Sequence, residues 1–174
     1  MAAEASQGIL GDDMKDDRDQ LVEMLKKAYF MELETVISYI TNSVNLEGIR
    51  AREVAESLEQ DIVEELGHAQ QFANRIKQLY GVVPGSLDFT PEQSFLQPAS
   101  EQTDLAHVIK GVIEAESGAI EHYNAVIAFA ADRDPVTEDM IIAILRDEEG
   151  HRRLFEGFLR EVESGSVSTP PKGT

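Results

Sequence analysis

Cysteine is absent from this 174-residue chain, which excludes disulfides, zinc ribbons, iron–sulfur clusters and thiol catalysis together. Long apolar runs are missing too. No stretch approaches the roughly 18 uninterrupted apolar residues of a membrane span, and the N-terminus lacks the basic-then-apolar pattern of a secretory signal. The expected setting is cytoplasmic, without membrane contact. Positive charge is scarce: 15 Lys and Arg stand against 33 Asp and Glu, a net charge of −18. That balance opposes direct binding to nucleic-acid phosphates or anionic lipids. The remaining composition, 42% hydrophobic and 28% charged, suits one soluble domain long enough for a sizeable core.

Strand patterns are also missing, and the apolar positions recur at helical spacing. Leu21, Leu25, Ala28, Tyr29, Val36, Tyr39 and Ile40 place a first helix over about Asp17 to Leu46. A second is expected from about Ile49 to Tyr80, ended by Gly81 and Pro84. Residues 81–102 hold three of the six prolines and show no period, so they read as a long crossover, pinned by Phe89, Phe95 and Leu96. A third helix, capped by Thr103 or Ser100, runs to about Ala131. Asp134 as a cap with Pro135 behind it, or Thr137 as the cap, opens a fourth that ends near Ser164. The expected fold is all-α: a four-helix bundle over residues 17–164, whose crossover between helices 2 and 3 lets helix 3 run parallel to helix 2. Residues 1–16 form a flexible acidic arm and 165–174 a flexible tail.

One stretch carries the chemistry. Glu148 and His151 lie one helical turn apart, on a face otherwise made of Ile141, Ile144, Phe155 and Phe158. Glu65 and His68 repeat the arrangement among Leu58, Ile62, Ala69, Phe72 and Ile76. Two Glu-x-x-His helices indicate a dinuclear metal site in a bundle if two further helices each supply an inward Glu. Glu32 and Glu116 do, and each precedes a tyrosine (Tyr39, Tyr123) by two helical turns on the same face. The chain thus reads as two helix pairs of one design. Glu114, His107 and His122 lie off the Glu116 face, and Glu34, Glu59 and Glu149 read as ordinary surface acids.

Four buried carboxylates are costly without compensation. Two divalent ions cancel their charge, and an oxide or hydroxide bridge absorbs the excess if both become trivalent. Mixed carboxylate and imidazole donors suit iron, with manganese as the alternative, and leave positions for oxygen species. By this geometry Glu65 and Glu148 bridge, while Glu32 and Glu116 each serve one metal. Glu64 and Asp147 are placed to accept the outer ring N–H of the opposite pair's histidine. Tyr39 and Tyr123 are candidates to bond a ligand carboxylate or to donate an electron.

Taken together, Glu32…Tyr39, Glu65-x-x-His68, Glu116 and the run Ile-Leu-Arg-Asp147-Glu148-Glu149-Gly150-His151 resemble the ferritin-like di-iron carboxylate superfamily. The chain is most similar to bacterioferritins and bacterioferritin-like mini-ferritins over about residues 17–163. The resemblance implies two iron ions per chain, held by Glu32, Glu65, His68, Glu116, Glu148 and His151. It also implies oxidation of Fe(II) by oxygen or peroxide for storage or detoxification. Bacterioferritins carry a haem-ligating Met where Leu66 stands, so no haem is expected. The tail is too short for the fifth helix of 24-subunit shells, so a twelve-subunit homo-oligomer is favoured over a dimer. The alternatives are another di-metal enzyme, of manganese catalase or peroxidase type, and a structural metal-bound helical module.

Overall fold

Helical periodicity becomes four long helices. The computed structural model describes residues 8–165, with α1 spanning Lys15–Asn45, α2 Ala51–Gln78, α3 Leu105–Ala130 and α4 Pro135–Gly165. No strand occurs among the described residues. α1 packs chiefly on α2 and α3 on α4, so each short-looped pair is antiparallel. Across the pairs, Tyr39 meets Glu116 and Tyr123 meets Glu32. That register makes α1 antiparallel to α3 and therefore α2 parallel to α3, as the long crossover requires.

The interior is apolar at both ends and polar in the middle. One cluster joins Leu21, Leu25, Phe72, Ile76, Tyr123, Val126 and Ile141. The other joins Tyr39, Val54, Leu58, Leu96, Ile109, Val112 and Phe155. Each gathers residues from all four helices, so burying them fixes the helix faces before the polar layer between them is considered. Each cluster also ends in a fully buried tyrosine whose hydroxyl reaches into that layer.

Several local expectations are corrected. Residues 8–14, expected within the flexible arm, form two 3-10 turns, Gly8–Leu10 and Asp12–Met14. Ile9 is buried in the first cluster, and Arg18 donates to the Ile9 and Gly11 carbonyls at 3.0 and 2.9 Å. The rest of the expected arm, residues 1–7, and the tail beyond Gly165 lie outside the described residues. Asp104 rather than Thr103 or Ser100 caps α3, accepting the His107 N–H at 3.0 Å. α2 ends with Tyr80, not Gly81, in the left-handed conformation (φ 63°); the guanidinium of Arg18 stacked over its ring favours an aromatic there.

The crossover is held by polar contacts as well as apolar ones. Leu96 is buried, Phe95 packs against the second cluster, and Phe89 meets the Phe30 ring at 5.5 Å. Glu34, expected as a surface acid, is buried and accepts the backbone N–H groups of Glu92 and Gln93 at 2.9 and 2.7 Å. Asn42 donates to the Leu96 carbonyl at 3.2 Å. These bonds satisfy loop backbone that would otherwise be buried without partners. Gly111 allows the closest approach, since a Cβ there would fall 2.7 Å from the Phe95 carbonyl oxygen.

At the other end a buried ion pair ties α2 to the start of α4. Arg75 reaches both Asp134 oxygens at 2.7 Å and donates to the Thr137 hydroxyl at 2.8 Å. Burial alone raises the Asp134 pKa, but Arg75 and Thr137 outweigh it and the net shift is downward. Asp134 also caps α4, ahead of Pro135. Its contribution is therefore present above the pKa of an unfolded aspartate and lost as pH falls through the lowered folded value. Asp134→Ala strands the guanidinium and is expected to cost about 3–5 kcal/mol near neutral pH. Urea unfolding should show this deficit shrinking in acid; a change within error at pH 7 would remove the network from the stability argument.

Candidate metal centre

In the layer between the two clusters, α2 and α4 bring their Glu-x-x-His turns face to face. Glu32, Glu65, Glu116 and Glu148 are each no more than 2% exposed, with His68 at 4% and His151 at 7%. Carboxylates enter so apolar a region only with partners or compensating charge. The partners are the imidazoles. Glu65 places one oxygen 3.4 Å from His68 Nδ1 and the other 3.4 Å from His151 Nδ1. Glu148 does likewise, at 3.1 Å from His68 Nδ1 and 3.7 Å from His151 Nδ1. Glu32 lies 3.8 Å from His68 and Glu116 4.0 Å from His151.

The donor atoms converge on two points. Glu32, Glu65, His68 and Glu148 offer ligand atoms all within 4.8 Å of one another, and Glu65, Glu116, Glu148 and His151 do the same. Glu65 and Glu148 belong to both sets. Both Glu65 oxygens, Glu148 Oε1 and both Nδ1 atoms are buried without a hydrogen-bond partner. Buried polar atoms left unmatched this way are rare, and their mixed oxygen and nitrogen chemistry fits a pair of iron or manganese ions.

The surrounding groups aim these donors. Tyr39 donates to Glu116 and Tyr123 to Glu32, so each tyrosine serves the glutamate of the other helix. His151 Nε2 meets Glu64 at 3.0 Å, a hydrogen bond. His68 Nε2 lies 3.7 Å from Asp147, beyond one. His122 bonds the Met24 carbonyl and His107 the Gln97 carbonyl, both away from this layer. Leu66 faces outward, 47% exposed. Sequence reasoning missed Asp61, which is 6% exposed, with one oxygen 3.7 Å from His151 Nε2 and the other unpartnered. Its position one turn before Glu65 on the same face was the available signal.

Protonation follows from this crowding. Burial, then the charges of Glu65 and Glu148, push Glu32 well above the usual carboxylate range; burial and Glu148 do the same to Glu116. Burial also opposes ionisation of Glu65 and Glu148, but the two imidazoles outweigh it and both are held low. Burial disfavours the imidazolium forms, yet the facing glutamates raise His68 to about 9 and His151 to about 12. Asp61 is lifted to about 6, mainly by burial. In the metal-free layer the shifts thus run in opposite senses, favouring protonated Glu32 and Glu116 and ion pairing of Glu65 and Glu148 with the two imidazoles.

Comparison with known proteins identifies the fold. Residues 22–164 match the ferritin-like domain family. The chain is similar to a "DNA protection during starvation protein" of Pyrococcus furiosus, 27% identical over 86% of this chain and 82% of that one. A dodecameric thioferritin, the bacterioferritin-related protein of Bacteroides fragilis, shares the fold at TM-score 0.76 and 24% identity, over 88% of this chain and 92% of that one. Desulfovibrio desulfuricans bacterioferritin, which has a diiron site, shares it at TM-score 0.70 and 23% identity, over 92% and 94%.

The charge state makes protons the competitor of any metal. Two divalent ions bound at these donors displace as many as four protons, two from imidazolium and two from carboxyl. Because His68 is raised to about 9 and His151 to about 12, apparent affinity should climb with pH from the acid side and keep climbing beyond about pH 9. Titrating metal-free protein with Zn(II) in buffers of different ionisation enthalpy would count the protons. Uptake without proton release would show the donors already deprotonated.

Proposed function

The chain belongs to the ferritin-like domain family, and from that membership and the geometry of its core we propose that it is a di-iron ferroxidase, acting in iron storage or detoxification. The observation that carries the reading is the pair Glu65 and Glu148, each presenting one oxygen to each half of the layer. Fe(II) is the substrate. Two ions per chain occupy the two donor sets, with Glu65 and Glu148 bridging, Glu32 and His68 completing one position, and Glu116 and His151 the other. The bound pair supplies the redox step: two Fe(II) lose two electrons, which with two protons reduce dioxygen to hydrogen peroxide, or peroxide to water.

The residues of the chain favour that step electrostatically. Four carboxylates around two cations stabilise the trivalent pair more than the divalent pair, so the ligand set drives oxidation. Tyr39 and Tyr123, donating to Glu116 and Glu32, hold the two terminal carboxylates in place. Glu64 bonds the outer nitrogen of His151 and turns its Nδ1 inward, while Asp147 faces that of His68 from 3.7 Å. Apolar clusters above and below exclude bulk water. Leu66 offers no thioether, so haem has no part in the proposal.

Assembly belongs to the same reading. A twelve-subunit shell is favoured by the dodecameric Bacteroides fragilis relative and by a bare surface on this chain. Residues 35–46 contain no charged side chain, and Ile37, Ile40 and Val44 stand 56%, 47% and 77% exposed along one stripe of α1. Chains carrying −18 each repel wherever charged faces meet, so an uncharged stripe suits contact between copies. Light scattering should give a mass near twelve chains, and Ile40→Glu should shift it toward smaller species; a mass of one chain would refute assembly.

Rapid mixing of metal-free protein with Fe(II), in air or with peroxide, tests the activity. Ferric absorbance should rise faster than for Fe(II) in buffer. Glu148→Ala should slow it by more than the roughly 10–100-fold typical of residues that merely support ligands, and by more than Glu116→Ala, since a bridge serves both positions. Wild type no faster than buffer would end the ferroxidase reading; Glu148→Ala at the wild-type rate would discredit this site.

A further inference from the structure

The Glu-x-x-His helices of the two halves are related by an offset of 83 residues: Glu65 corresponds to Glu148, His68 to His151 and Glu64 to Asp147. At the same offset the correspondence breaks, because the counterpart of Asp61 is Ile144. Both are buried, but one is an acid and the other a hydrocarbon. Asp61 stands on the His151 side only, 3.7 Å from Nε2. The second break is one of reach. Glu64, a methylene longer than Asp147, bonds His151 Nε2 at 3.0 Å, whereas Asp147 stops 3.7 Å short of His68 Nε2.

We propose that the two metal positions are unequal, and that Asp61 and Glu64 make the His151 position the one a divalent cation fills first. This rests on the di-metal reading above. The physical reason is pre-organisation. A histidine ligand needs its outer N–H held by an acceptor, which fixes the tautomer, aims the lone pair and raises ligand basicity. His151 has that acceptor in Glu64 and a further carboxylate in Asp61. His68 has only Asp147, beyond bonding distance, and must first recruit it. Asp61 also places a buried carboxylate beside the outer nitrogen of His151, and His68 has no such second acid. Both are positioning residues, acting through His151 rather than as ligands themselves.

The order has a consequence for the reaction. One ion settles at Glu116 and His151, and the position at Glu32 and His68 then exchanges more freely, so it is the natural entry and exit point for the second. Single occupancy is then a distinct resting state, and the paired step waits on the weaker site.

The test is an anaerobic Co(II) titration of the full-length metal-free protein, read by visible absorbance and calorimetry, with no oxidation involved. Two steps of one ion each are expected. His151→Ala should abolish the tighter step and His68→Ala the weaker. Asp61→Asn and Glu64→Ala should each bring the tighter step toward the weaker by roughly 10–100-fold. Asp147→Glu lengthens the short acceptor on a partly exposed side chain and should tighten the weaker step, so the proposal can be judged even if a core variant fails to fold. Two equal steps, or a tighter step lost with His68 and kept without His151, would overturn the inequality while leaving a two-ion centre. No Co(II) uptake, or uptake indifferent to both histidine variants, would instead overturn the di-metal reading on which it stands.

Discussion

Everything in this bundle answers to one electrostatic constraint: four glutamates and two histidines share a layer from which water is largely excluded. No arrangement of helices makes four bare carboxylates comfortable there. The metal-free chain meets the constraint with protons, holding Glu32 and Glu116 neutral and pairing the Glu65 and Glu148 anions with two imidazolium ions. Two divalent cations, as proposed above, would meet it with the same total charge. In the proposed di-metal state the same donors would exchange those protons for metal. That economy requires the helices to be placed independently of the site.

The two apolar clusters supply that independence. Each joins side chains from all four helices at one end of the bundle, so the helix faces are set by hydrophobic burial above and below the polar layer. Tyr39 and Tyr123 belong to the clusters by their rings and to the layer by their hydroxyls. They transmit the positions of the packed ends to the glutamates in the middle. Arg75 with Asp134 at one end, and Glu34 with the crossover backbone, perform a similar tethering with polar groups. In each case a buried charge is tolerated because its hydrogen-bond partners are complete.

Near-symmetry is the other feature that runs through the molecule. Two helix pairs of one design, brought together antiparallel, produce two similar sets of donor atoms that have Glu65 and Glu148 in common. Departures from that symmetry are few and local: an acid where its counterpart is Ile144, and one extra methylene in Glu64 relative to Asp147. Small as they are, they fall against the histidines, where a change of a few tenths of an ångström decides whether a hydrogen bond forms.

How much was legible beforehand depended on whether the information was periodic. Helical spacing along one strand of sequence placed Glu32, Glu65, His68, Glu116, Glu148 and His151 on inward faces, and the structure brings all six together. The four-helix bundle and its crossover were legible for the same reason, since burial of an amphipathic face repeats every turn. Glu34 and Asp61 were not read correctly, although both are simple acids on helices. Glu34 is buried where the crossover backbone folds over it, a contact between residues 58 positions apart that no period encodes. Asp61 sits one turn from Glu65, yet its proximity to His151 arises only when α4 docks beside α2. The sequence by itself determined which residues face inward, because that depends on geometry within each helix. Which inward residue meets which, and so which half of the centre gains a fourth carboxylate, was decided only by the packing of one helix against another.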